Sequence, residues 1–140
     1  MIRSEAAPIT LRVLLVEDHP DTDETLDVFL RFRGHEVGVA PDGPTALRMA
    51  SDSPPDVAVL DIGPSGGTDG CGVARGLRGR GAGRKPLVIA VAGRGSDVDR
   101  RRLARAGVHL YLRKPVDAAL LARLLEQFKA ALVGEGRLLR

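Results

Sequence analysis

Apolar residues in this chain come in short, nearly unbroken runs. LRVLLVE (11–17), DVAVLD (56–61), PLVIAVA (86–92) and VHLYLR (108–113) each have the length of a strand, and none alternates cleanly with polar residues throughout. Such runs predict strands of a parallel sheet covered on both faces. A weaker run, HEVGVA (35–40), alternates Val37 and Val39 with small or polar residues and predicts an edge strand. Between the runs the period lengthens to that of a helix. From Pro20 to Arg33 the residues Thr22, Thr25, Leu26, Phe29 and Leu30 share one stripe, and Gly34 is a natural stop. Residues 43–51 offer Ala46, Leu47 and Ala50, while 70–80 make a poorer helix weakened by Gly72 and Gly76. Ser96 and Asp99 match the S-x-x-D capping box, which predicts a helix from there to about Ala106 with Gly107 after it. Asp117 can cap a last helix, in which Leu120, Leu121, Leu124, Leu125, Phe128 and Leu132 form a strong apolar stripe.

Strand and helix thus alternate five times, the pattern of an open α/β parallel sheet with helices on both sides. Residues 10–132 are expected to form one domain, with 1–9 an N-terminal extension and 133–140 a flexible tail. A chain of 140 residues can bury a core without staples, and its single cysteine, Cys71, excludes an internal disulfide framework and a multi-cysteine zinc site. His19, His35 and His109 are too scattered for a histidine metal site. The N-terminus has no apolar signal-peptide core and no run reaches the length of a membrane span, so the expected location is the cytoplasm. Charge is divided unevenly: residues 1–70 carry a formal −8 and residues 71–140 a formal +11. Basic charge raises nucleic acid as a partner, but three Phe, one Tyr and no Trp leave no stacking platform, which argues against direct binding.

In open α/β sheets ligands bind beyond the carboxyl ends of the strands, at the point where the strand order reverses. Three runs end there in charged residues: Glu17-Asp18, Asp61, and Arg113-Lys114-Pro115. If the first and third strands are neighbours, three carboxylates meet. Packed carboxylates repel unless a cation binds or a pKa rises, and oxygen ligands in an open site suit Mg²⁺. A lysine at the same edge could neutralise phosphoryl oxygens.

LLVEDHP, DVAVLD followed by DG, and the downstream AG–VHLYLRKP resemble the receiver domain of bacterial two-component response regulators over roughly residues 10–132. The resemblance implies a (βα)5 flavodoxin-like sheet of order 2-1-3-4-5. It makes Asp61 the acceptor of a phosphoryl group from a histidine kinase or phosphotransfer protein. Glu17 and Asp18 become the acidic pair that holds Mg²⁺, with Asp18 the more direct ligand and the Gly63 backbone carbonyl a further one. Lys114 pairs with the phosphoryl group, the Lys114-Pro115 bond is cis, and Tyr111 occupies the aromatic switch position. The fourth helix, fifth strand and fifth helix form the face for a downstream partner, and a homodimer is compatible with the family. Such a chain is no enzyme beyond its own Mg²⁺-dependent phosphorylation and dephosphorylation.

Two departures stand out. The family ends its fourth strand in Thr or Ser, where this chain has Ala92; Ser96, four residues on, is expected to cap a helix. The loop after Asp61 reads DIGPSGGTDG, one residue longer than the family's, with Pro64 one place early and Gly70 nine residues after the aspartate. An alternative is therefore a degenerate receiver acting as a constitutive interaction module. A Mg²⁺-dependent aspartyl phosphatase fits poorly, because the second Asp it needs two residues on is Gly63. Nothing after residue 132 has the size of a DNA-binding effector, so a stand-alone receiver, or one cut from a larger protein such as a hybrid kinase, is expected.

Overall fold

Strand and helix alternate in the order β1 (Arg12–Val16), α1 (Glu24–Phe32), β2 (Glu36–Ala40), α2 (Gly43–Asp52), β3 (Val57–Ile62), α3 (Gly70–Arg78), β4 (Leu87–Ala92), α4 (Arg100–Ala106), β5 (Leu110–Arg113) and α5 (Ala118–Gly134). The computed structural model describes residues 10–17, 24–62, 69–79, 85–93 and 99–134. All strands pair in parallel, in the order β2-β1-β3-β4-β5, a doubly wound flavodoxin-like sheet.

The apolar runs are unbroken because both faces of the sheet are covered, and the two faces are built differently. Leu11, Val13, Leu15, Val57, Val59, Ile89 and Val91 pack against Leu30 of α1 and Leu121, Leu125 and Leu132 of α5. The opposite face is richer in small residues, set among Leu14, Val16, Leu60, Ile62, Leu77 and Leu103. Ala40, Ala58, Ala90 and Ala92 lie with Ala46 and Ala50 of α2, Ala74 of α3 and Ala106 of α4. Small side chains let these helices approach closely. At Gly76 an added Cβ would stand 2.7 Å from Leu47 Cδ2, so the glycine that weakens α3 as a helix is what lets it lie on α2.

Three details differ from the sequence expectations. As a run of residues VHLYLR reads as a doubly covered strand, yet β5 is half-buried rather than buried, because it stands at the edge where the order 2-1-3-4-5 puts it. The fourth helix begins at Arg100. Asp99 itself is its cap, with Oδ1 accepting from the N–H groups of Arg101 (3.0 Å) and Arg102 (3.2 Å), instead of serving as the third residue of a box begun at Ser96, which lies outside the described residues. The last helix continues past 132 to Gly134. Other signals hold. Gly34 and Gly107 have φ of +93° and +115° at helix ends, Asp117 Oδ1 accepts from Leu120 N–H at 3.1 Å, and Lys114-Pro115 is cis.

Candidate functional site

β1 and β3 lie side by side at the reversal of strand order, with Val16 opposite Leu60. One step further along both strands, Glu17 and Asp61 therefore stand at the same level. The Glu17 N–H donates to Ala40 O at 2.9 Å, which extends the β1–β2 pairing and fixes that residue's backbone. Both side chains are buried, Glu17 at 4% and Asp61 at 3% exposure. Lys114 reaches the same place from the other edge. Its N–H donates to Ala92 O at 2.8 Å, prolonging the β4–β5 register, and its stem runs past Gly93, where a Cβ would lie 3.9 Å from Lys114 Cδ.

Lys114 Nζ stands 2.8 Å from Asp61 Oδ1. The contact is an ion pair outside hydrogen-bonding angles, so that oxygen is left without a hydrogen-bond donor among the described residues. Glu17 Oε2 is likewise buried without one. Burial, and then the charges of Asp61 and Asp27, push the Glu17 carboxyl up to about 7, with Lys114 opposing them. Two buried carboxylates, a raised pKa and unpartnered oxygens form a site that favours additional positive charge. Glu17 and Asp61 fit a hard, oxygen-binding cation in this respect. Among the described residues no group of three or more His, Cys, Asp or Glu could hold a metal ion, and the further expected ligands, Asp18 and the Gly63 carbonyl, lie outside those residues.

Tyr111, on β5, is half-buried and packs against the alanine-rich face. The guanidinium of Arg100 sits over its ring, 4.4 Å from the centroid. At the end of β4, Ala92 is fully buried and pairs with Ile62 and Arg113.

The response regulator receiver domain profile matches residues 13–126. This chain belongs to the response regulator receiver domain family, the receiver module of two-component signalling. It is 39% identical over 126 residues to the transcriptional regulatory protein PrrA of Mycobacterium tuberculosis, a match covering 89% of this chain and 51% of that protein. It is 35% identical over 127 residues to the response regulator PleD of Caulobacter vibrioides, covering 86% and 27%. The chain thus spans between about a quarter and about half of these relatives. Among solved structures, the receiver domain of sensor histidine kinase PA1611 from Pseudomonas aeruginosa is similar with a TM-score of 0.73 and 31% identity, covering 85% of this chain and 97% of that one; it is described with a magnesium ion in its active-site cleft.

Sequence reasoning about this receiver domain places Glu17, Asp61 and Lys114 at strand ends that the fold brings together. It misses Arg100, whose stacking on Tyr111 depends on how α4 lies over β5. It also misses Asp27, which reaches Glu17 through its field, and whose nearer partner is Arg31 at 2.6 Å. No local pattern signals either. Among the described residues no helix is long and apolar enough to cross a membrane.

Proposed function

We propose that this receiver takes a phosphoryl group on Asp61 from a histidine kinase or a phosphotransfer protein, with Mg²⁺ held by Glu17, Asp18, Asp61 and the Gly63 carbonyl. The observation that carries the reading is the buried Asp61 carboxylate at the end of β3, with Lys114 Nζ at 2.8 Å and the buried Glu17 beside it. In the transfer, an Asp61 oxygen forms the new O–P bond, the N–P bond of the donor phosphohistidine breaks, and its electron pair stays on the imidazole nitrogen. Lys114 is placed to pair with a phosphoryl oxygen once Asp61 has shared its own. Mg²⁺ supplies neutralisation of the carboxylates and the transferred group, and the magnesium in the PA1611 cleft supports its use here.

The receiver unit runs from residue 10 to the end of α5 at Gly134 and acts in the cytoplasm. It signals to a downstream protein through α4, β5 and α5, with Tyr111 as the aromatic that responds. Its only chemistry is its own phosphorylation and dephosphorylation. Treatment with acetyl phosphate and Mg²⁺, followed by intact mass measurement, is expected to add one labile phosphoryl group, and Asp61→Asn is expected to abolish it. Equal labelling of the Asn variant would place the acceptor elsewhere.

A further inference from the structure

Glu17, Asp61 and Lys114 occupy the carboxyl ends of the strands. At the opposite end, before β4 and β5 begin to pair, lies a separate cavity of about 490 Å³. Its apolar walls are Pro86, Val88, Ala104 and Val108, and its polar groups are Arg78, Lys85, Arg105 and His109. No carboxylate lines it among the described residues.

Two of the polar groups are held in place. Arg78 Nη1 donates to the Arg105 carbonyl at 3.1 Å. Its stem crosses Gly107, where an added Cβ would lie 3.1 Å from Arg78 Cδ. One N–H of the guanidinium is thereby committed, and its remaining donors are pre-oriented. His109 Nδ1 accepts the Val88 N–H at 3.0 Å, which places the ring proton of the neutral form on Nε2 and leaves that atom a donor. Lys85 and Arg105 are exposed and add two positive charges. Capping of α4 accounts for Arg78, but not for the gathering of Lys85, Arg105 and His109 around an apolar floor.

A fixed guanidinium with further cations suits phosphate oxygens. The volume falls within the roughly 300–1,000 Å³ of small-molecule pockets, and such pockets combine apolar walls with a few placed polar groups. We infer that this pocket binds an organic phosphate of the nucleotide class, its phosphates on Arg78, Lys85 and Arg105 and its ring against Ala104 and the His109 imidazole, which are exposed where Val88 and Val108 are buried. The phosphoacceptor chemistry at the other end of the sheet makes no use of these residues.

The test is an amide NMR titration of the intact chain with ATP and, separately, with inorganic pyrophosphate, in EDTA so that neither is drawn to the Asp61 site by metal. Saturable shifts are expected at Val88, Gly107, Val108 and His109, with ATP binding more tightly than pyrophosphate. Lys85→Glu and Arg105→Glu should each weaken ATP roughly ten-fold or more, the worth of a lost charge-assisted contact. Arg101→Glu, the same charge change on an α4 residue outside the cavity, should leave binding within about two-fold. Shifts only around Glu17, Asp61 and Lys114, or an equal loss in all three variants, would overturn the site. Pyrophosphate binding as tightly as ATP would overturn the organic ligand.

Discussion

At the end of β1 Glu17 gives up most of its water and gains Asp61 as a neighbour, so it holds its proton up to a pH of about 7 against 4.5 for the free group. Between those values the folded chain keeps a proton that the unfolded chain has released. Stability therefore falls as pH rises through that window, by at most about 1.4 kcal/mol per pH unit. His35 acts with the opposite sign. It is buried with Nδ1 unpartnered, and burial and then Lys129 hold its pKa below 6.5, so stability is lost as pH falls from 6.5. Comparing Glu17→Gln with wild type separates the two, because both retain His35. In urea titrations without metal, at about pH 5 and about pH 8, the Gln variant is expected to lose less stability on going to the higher pH. Parallel curves would show that Glu17 is not the group responsible. Asp56 presents a simpler case. It is buried, Oδ2 accepts the Arg12 N–H at 2.8 Å, and its backbone joins Arg12 O and Leu87 N, so one residue ties together the starts of three strands. Asp56→Ala leaves that N–H without its acceptor and is expected to cost about 1.5–3 kcal/mol, with Asp56→Asn costing less because its amide oxygen can still accept. Equal losses for the two would show that the hydrogen bond is not what matters.

Among the elements, the alanine-rich face sets the spacing of α2, α3 and α4. Gly76 lies where α3 meets Leu47 of α2, and a β-branched side chain there must displace Leu47 or push the helices apart. Gly76→Val is expected to cost about 1–3 kcal/mol, the usual range for overpacking. In a Leu47→Ala background the added cost should shrink by more than about 0.5 kcal/mol, since contacting residues couple. Additive losses would mean that strain at Gly76 does not run through Leu47. The same packing explains what the chain reveals before folding. Strand positions were legible because burial on both faces leaves continuous apolar runs such as VAVL (57–60). The edge position of β5 follows from the order 2-1-3-4-5 that the family resemblance implies, but not from the run LYLR itself, because a strand's place in the sheet is set by pairing across the molecule and leaves no local mark. The gathering of Glu17, Asp61 and Lys114 was legible because Glu17 and Lys114 follow directly on strands and Asp61 is the next-to-last residue of β3, and strand ends are what the sheet aligns. The Arg12–Asp56 link, 44 residues apart, and the Arg100–Tyr111 stack were not, because each depends on tertiary placement.

Across the whole molecule, the question is how a change at Asp61 on β3 reaches α4 and Tyr111 two strands away. β4 lies between, and its last residue is Ala92, fully buried, with Ile62 on one side and Arg113 on the other. A ligand shifts a conformational equilibrium only through its different interaction with the two states. In receivers with Thr or Ser at this position, a hydroxyl drawn to the phosphoryl oxygen supplies part of that difference. A hydrogen bond to a charged group is worth about 1.5–3 kcal/mol, so its absence shrinks the population shift roughly ten-fold or more. One route survives. Lys114 follows β5 directly and is tied to Ala92 O, so if Asp61 takes a phosphoryl group as proposed, exchanging its Asp61 partner for a phosphoryl oxygen would pull on the strand that carries Tyr111. That pull would work against the Arg100 stack, which lies over the ring from the side of α4. With beryllofluoride as the phosphoryl mimic, wild type is therefore expected to show small shifts at Tyr111 and residues 100–106, and Ala92→Thr larger ones. Arg100→Ala should also enlarge the response, by freeing the ring without adding a hydroxyl. A full response in wild type, changed by neither substitution, would show that this receiver carries its signal along another path.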